Sequence, residues 1–329
     1  MSSFEPAPKH KKPSLPSPRQ NSSPPGHKPP VPGPHPFKGI YNFGNNGSSL
    51  ADNPYLAGTY LGFYWSELEP KQGQYNWKAI DDAMQPWINH GKDIILRVST
   101  AGWKAWRPPV SQQGTPQWVY DMGVPSVTEV DHAVKPQYWN ALFLRAFEEF
   151  VKALAARYDS NAHIVAIEMG VGDGGETKPD TYHNPQVLQL WQTIAYTDVV
   201  WWDTIQKIVG IYQRAFKVLP LALMPNKSFL GNTPGYDEHK VVNWAIAQHP
   251  PLWLQNNGII AGQKLDPTWL KTTIIAEQRL KTKQSGDTLA QDLQLMLKSG
   301  ASYALCFESD LANPKNQATL QQYAALVKH

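Results

Sequence analysis

The chain of 329 residues has a single cysteine, Cys306, which excludes an internal disulfide. Its neighbours Ala304, Leu305 and Phe307 are apolar, so the thiol is expected to be buried rather than nucleophilic. Charge is scarce too. Asp, Glu, Lys and Arg make up 17% of the residues and the formal net charge is +3, much of the basic excess lying before Phe37, so no broad field for nucleic acid is implied. No apolar run approaches a membrane span, and the amino terminus has no apolar signal core. That leaves the compartment open, an extracellular or cell-surface site included. The 10 histidines, among them His10, His27 and His35, form no HxH or HExxH spacing, which disfavours metal, and no cofactor is expected. A glycine-rich phosphate turn after the first strand is also missing, because GNNGSS at Gly44 to Ser49 does not have that spacing.

Flat rings are abundant, with 13 Trp and 14 Tyr. They suit ligands that stack, sugars among them, although most are expected to be core. Residues 1–36 are dominated by Pro, Ser, Lys and His and cannot bury enough apolar surface to offset their ordering entropy. They are expected to be a disordered linker, with one domain occupying 37–329.

From Phe37 onward, strands alternate with helices. Predicted strands are Phe37 to Phe43, Gly58 to Trp65, Asp93 to Ser99, Ile164 to Met169, Leu219 to Met224, Leu252 to Leu254, Thr272 to Ala276 and Ser302 to Phe307. Between them lie amphipathic helices, one capped by Asn76 and a long one opened by Pro136. The alternation predicts an α/β fold, a (β/α)8 TIM barrel. Two long excursions interrupt it, Thr100 to Lys135 and Lys178 to Asp198, and loops of that length are usually functional.

Barrels of this kind place their chemistry at the carboxyl ends of the strands. HIVAIEMGVGDGGET, His163 to Thr177, runs from a buried strand through Gly170, Gly172, Gly174 and Gly175 to Glu176. TTIIAEQ repeats the design and delivers Glu277. Two strand-end glutamates are candidate catalytic carboxyls, with Asp173 and Glu168 as alternatives for the first. Arg97, set in an apolar strand, requires a carboxylate or a water-lined cleft and is a candidate contact in the site. Asn256, in the amide run after Leu254, is another.

WSELEPKQGQYNW (Trp65 to Trp77) resembles the second-strand loop of the clan A glycoside hydrolases, the β-galactosidase-like barrels in particular. TPQWVYDMG, PQYWN and the long helix ending in ARY are similar to the third βα segment of the same enzymes. The resemblance implies a retaining O-glycosidase acting on a β-linked oligo- or polysaccharide, with an acid/base glutamate from the fourth barrel strand and a nucleophile from the seventh. Glu176 and Glu277 would fill those roles, and an arginine near Glu277 would favour its ionised form. The clan's usual Asn-Glu pair is replaced here by Gly170, Val171 and Gly172. A catalytically silent carbohydrate-binding barrel is the alternative. Trp65, Trp103, Trp106, Trp118 and Tyr182 would line the cleft of either.

Overall fold

The structure, a computed structural model, describes residues 35–44, 46–101, 113–128, 132–181, 184–228, 238–259, 265–278 and 281–327. The N-terminal linker expectation lies outside them. The strands are β1 (Gly39–Phe43), β2 (Gly58–Tyr64), β3 (Asp93–Ser99), β4 (Ser126–Thr128), β5 (Val134–Pro136), β6 (Ile164–Glu168), β7 (Leu221–Leu223), β8 (Trp253–Ile259), β9 (Ile274–Gln278) and β10 (Ala301–Phe307). All but β4 and β5 close a parallel barrel in the order β1-β10-β9-β8-β7-β6-β3-β2. The predicted TIM barrel is therefore present, and the fourth and seventh barrel strands are β6 and β9.

Period-2 alternation decides what each strand offers to the barrel interior. Tyr41, Phe43, Tyr60, Ile95, Ala222, Ile275, Tyr303 and Leu305 pack against one another inside the barrel, with Trp253 and Phe307 at its margins. Their sequence neighbours, such as Leu61, Ile94, Leu96, Leu223, Leu254 and Ile274, pack outward against the helices. The register is tight. A Cβ on Gly58 would sit 2.2 Å from the Asp93 carbonyl oxygen, so only hydrogen fits where β2 meets the start of β3.

The helix Ala141–Tyr158 begins five residues later than expected from Pro136, with the Asn140 side chain accepting from Leu142 N at 2.9 Å as its cap. Pro136 instead ends β5, where it pairs with Ser126 in the small antiparallel hairpin β4-β5. Asn76 is not the cap of the helix Lys78–Asn89, which starts from Trp77. Gly300 does follow the helix Leu289–Lys298, at φ +82°, as a C-terminal glycine should.

The aromatic richness goes mainly into the outer layer. Trp65 is 0% exposed, with ring centroids 5.3 Å from Phe147, 5.5 Å from Phe150 and 5.7 Å from Trp118. Its Nε1 donates to Glu69 Oε2 at 2.7 Å, and Glu69 Oε1 accepts from Gly73 N at 2.7 Å. The WSELEP stretch thus ties the loop after β2 to the helix layer, and Trp65 is a core anchor rather than a cleft residue. Trp118 stacks edge-on against that anchor and donates to the Glu69 carbonyl at 3.0 Å. Trp118→Ala is accordingly expected to cost about 2 kcal/mol of stability while leaving saccharide affinity unchanged. Denaturant unfolding and a binding isotherm read the two effects separately.

Candidate active site

Glu277 lies within β9, not beyond it, because the strand runs two residues past the predicted end at Ala276 and Glu277 is in register with Leu305 of β10. Like Ile275 two residues before it, Glu277 points into the barrel, where it keeps part of its surface open to the mouth. Gln255 of β8 donates to its Oε2 at 3.2 Å.

Glu168 ends β6 in register with Arg97 of β3. The guanidinium reaches Glu168 Oε1 at 3.2 Å, and the Tyr60 hydroxyl donates to the same oxygen at 2.9 Å. Arg97 also lies over the Tyr60 ring, 5.3 Å from its centroid, and donates to the Gly174 carbonyl. Glu168 is thus the carboxylate partner of Arg97 inside the barrel. Arg97 is 5% exposed and directed to Glu168 and to the backbone of the glycine loop, so it braces the floor of the site.

From β6 the chain enters the glycine loop. A Cβ on Gly170 would lie 2.0 Å from the Val98 carbonyl oxygen, and one on Gly172 would lie 2.1 Å from the Lys178 carbonyl oxygen. Gly175 adopts φ +86°, and a Cβ there would meet Met224 Cε at 2.8 Å and Arg97 Cδ at 2.9 Å. The loop is compressed onto β3 and onto its own return path, which is why glycine recurs in it. Glu176 emerges from this turn. Its Oε2 accepts from Asn226 Nδ2 at 2.8 Å, and Lys178 and the Asn257 amide complete its partners. Each of these partners is a donor, so its oxygens serve as acceptors.

Three carboxyls, Glu168, Glu176 and Glu277, thus face two cations, Arg97 and Lys178. The third carboxyl bears the imbalance. Burial pushes Glu277 up to about 8, aided by the charges of Glu168 and Glu176 and opposed by Arg97 and the Gln255 amide. Burial also raises Glu168, against the pull of Arg97 and Tyr60.

Asp173, an alternative acid in the sequence reading, is excluded from that role by its surroundings. It is buried against the Lys135 ammonium at 3.0 Å. Burial would raise it, but Lys135, its hydrogen bonds and Lys178 hold it below its ordinary value. Asn256 also falls outside the site. In β8, Trp253, Gln255 and Asn257 share the barrel side, and Asn256 faces the helices with Leu254. Counting in twos from Trp253 would have selected Gln255 and Asn257. Lys178, two residues beyond Glu176, and Asn226, in the loop after β7, carried no sequence signal of their own. Trp103, Trp106 and Tyr182 lie outside the described residues. Among the described residues no group of His, Cys, Asp and Glu could hold a metal ion, and no helix is long and apolar enough to cross a membrane.

The closed parallel eight-stranded barrel is the fold implied by the resemblance to the clan A glycoside hydrolases, and comparison with known proteins agrees with that resemblance. Residues 59–200 match the glycoside hydrolase family 42 description, beta-galactosidase. The beta-galactosidases LacZ and LacA of Lactobacillus acidophilus are 26% and 24% identical to this chain over 146 residues, 42% of this chain and 20% of each relative. The chain therefore spans about one fifth of the length of the curated relatives it matches. Among solved structures, the catalytic domain of beta-amylase from Paenibacillus polymyxa superposes with a TM-score of 0.60 at 11% identity, over 89% of this chain and 99% of that one. The beta-galactosidase from Rahnella sp. R3 gives 0.54 at 12% identity, over 92% and 58%. These two show the fold. The family match includes the loop of Glu176 and ends before Glu277, whose place rests on its strand.

Proposed function

We propose that this chain is a glycoside hydrolase that cleaves a β-linked oligo- or polysaccharide by a double displacement, with Glu176 and Glu277 as its two carboxyls. The supporting observation is the charge balance at the barrel mouth. Protonating a glycosidic leaving group and stabilising an oxocarbenium-like carbon require one carboxylic acid and one carboxylate. Glu277, pushed up to about 8, holds a proton at neutral pH, while Glu176 is surrounded by an ammonium and two amide donors. This division makes Glu277 the acid and Glu176 the nucleophile, the reverse of the roles implied by strand position in the resemblance. Burial causes the reversal, and Arg97, whose charge is directed at Glu168, does not offset it.

The assignment has a signed pH dependence. In the free protein Glu277 titrates near 8, above the ordinary 4.5, so its acid form prevails below about pH 8 and disappears above it. On a glycoside with a poor leaving group, kcat/KM is expected to hold through neutrality and fall above about pH 8. Glu277→Gln should remove that limb and spare aryl glycosides whose leaving groups need no proton. A rise through pH 8 would return the nucleophile role to Glu277. A fluorinated activated glycoside should label the peptide of Glu176. Polysaccharide binding with no release of reducing sugar, from a panel of β-linked polymers, would leave only a carbohydrate-binding barrel.

A further inference from the structure

The excursion after β3 returns through the hairpin β4-β5, and the hairpin buries a lysine. Lys135 is 2% exposed, with its Nζ 3.0 Å from Asp173 Oδ2 and 3.2 Å from Asp180 Oδ1. Asp180 is itself held, its Oδ2 accepting from Trp191 Nε1 at 2.8 Å. A buried ammonium between two buried carboxylates is costly to assemble and costly to break, so its position is well defined.

Asp173 links this cluster to the site. Its carbonyl accepts from Glu176 N at 3.2 Å, and its N donates to the Lys178 carbonyl at 3.0 Å. Glu176 and its ammonium partner Lys178 are therefore both attached to the backbone of the residue that Lys135 grips. The far side of the loop is closed by Trp201 Nε1 donating to the Thr177 carbonyl at 2.9 Å, and by Asn226 N donating to Thr177 Oγ1 at 2.7 Å. Gly172, Gly174 and Gly175 give the turn no side chains of its own, so it is held from outside, by Arg97 at the Gly174 carbonyl and by the Lys135 cluster at Asp173.

We propose that Lys135 is a positioning residue for Glu176, acting through Asp173 and Asp180, and that the hairpin β4-β5 serves to deliver it. This inference rests on the glycosidase reading for its kinetic consequence and on the geometry alone for its structural one. Among the described residues the Lys135 ammonium pairs with Asp173 and Asp180 rather than with Glu176, so its loss is expected to act on the orientation of the carboxylate. A displacement of about an ångström of a reacting group costs on the order of 100-fold in rate.

The experiment pairs steady-state kinetics with amide hydrogen exchange on the full chain carrying Lys135→Met. The expected result is a kcat lowered roughly 100-fold with KM within about twofold of wild type, and exchange at 172–178 accelerated at least about tenfold while β6 and β7 keep their protection. Wild-type kcat in a folded variant overturns the proposal. So does acceleration spread evenly over the barrel strands, which is what a merely structural lysine would give. If Lys135→Met does not fold, Asp180→Asn, which keeps the acceptor for Trp191, is expected to show the same pattern in weaker form, and unchanged kinetics and exchange there overturn the proposal equally. If the wild-type protein turns over no glycoside, the glycosidase reading fails by itself, and the exchange pattern alone decides whether Lys135 braces the loop.

Discussion

Glu176→Gln is expected to lower kcat at least about a thousandfold on every glycoside, whatever its leaving group, while the melting temperature stays close to wild type. The substitution keeps the shape of the side chain and removes the charge that the developing oxocarbenium ion would meet. Three donors converge on this carboxylate, from Lys178, Asn226 and Asn257, and an amide in its place turns a donor of its own toward one of them. Stability should barely change because Asn257 is exposed and Lys178 reaches solvent, so water can satisfy what the amide does not. Kinetics on an alkyl and an activated aryl glycoside, with thermal melts of the same samples, check both halves. If activity persists on both substrates, Glu176 has no role in the chemistry.

Arg97→Met should produce the largest loss of stability. It leaves Glu168 at 0% exposure with, among the described residues, the Tyr60 hydroxyl as its hydrogen-bond partner, and removing one partner of a buried pair typically costs about 3–5 kcal/mol. In a barrel of this size that lowers the melting temperature by on the order of 10 °C. Adding Glu168→Gln should recover much of the loss, because the neutral amide no longer needs a counter-charge. If the double variant is no more stable than Arg97→Met, the pair is not what holds β3 and β6 together at this level, and the packing of Tyr60 and Met224 around the guanidinium is.

Arg97 also illustrates what could be read from the sequence. An arginine inside DIILRVS needs a carboxylate or a water-lined cleft, and alternation along that strand sends it inward, so an ion pair was one of two outcomes legible before the partner was. The partner was decided by register, since β3 and β6 pair Arg97 with Glu168 directly. Register between strands seventy residues apart leaves no trace in local pattern. The barrel itself was legible for a related reason, because each strand and helix announces itself by its own periodicity and the parallel order follows from their alternation. Boundaries were less so. Thr272 looks like strand, yet its hydroxyl donates to the Leu252 carbonyl at 3.0 Å and the strand starts only at Ile274. The rings were legible as abundant but not as placed, and Trp65 and Trp118 joined the outer core because the helix Ala141–Tyr158 presents Phe143, Phe147 and Phe150 to them. Lys135 looked like one more loop lysine, and only the folded hairpin gives it two aspartates.

The compression of the glycine loop determines where this protein could be altered by selection or in the laboratory. Gly170 and Gly172 have no room for even a methyl group, each blocked by a carbonyl oxygen at 2.0 or 2.1 Å, and Gly175 is held at φ +86°, where a side chain is strained. A saturation library over that turn should yield almost nothing but glycine at these three positions. Asn226 and Asn257 reach Glu176 from other segments; the Asn226 side chain also holds backbone, its Oδ1 accepting from Lys227 N at 2.8 Å, while Asn257 is exposed. New specificities should therefore be sought at the exposed Asn257, with the turn kept constant, and a lineage drifting toward another sugar would be expected to change that amide long before its glycines.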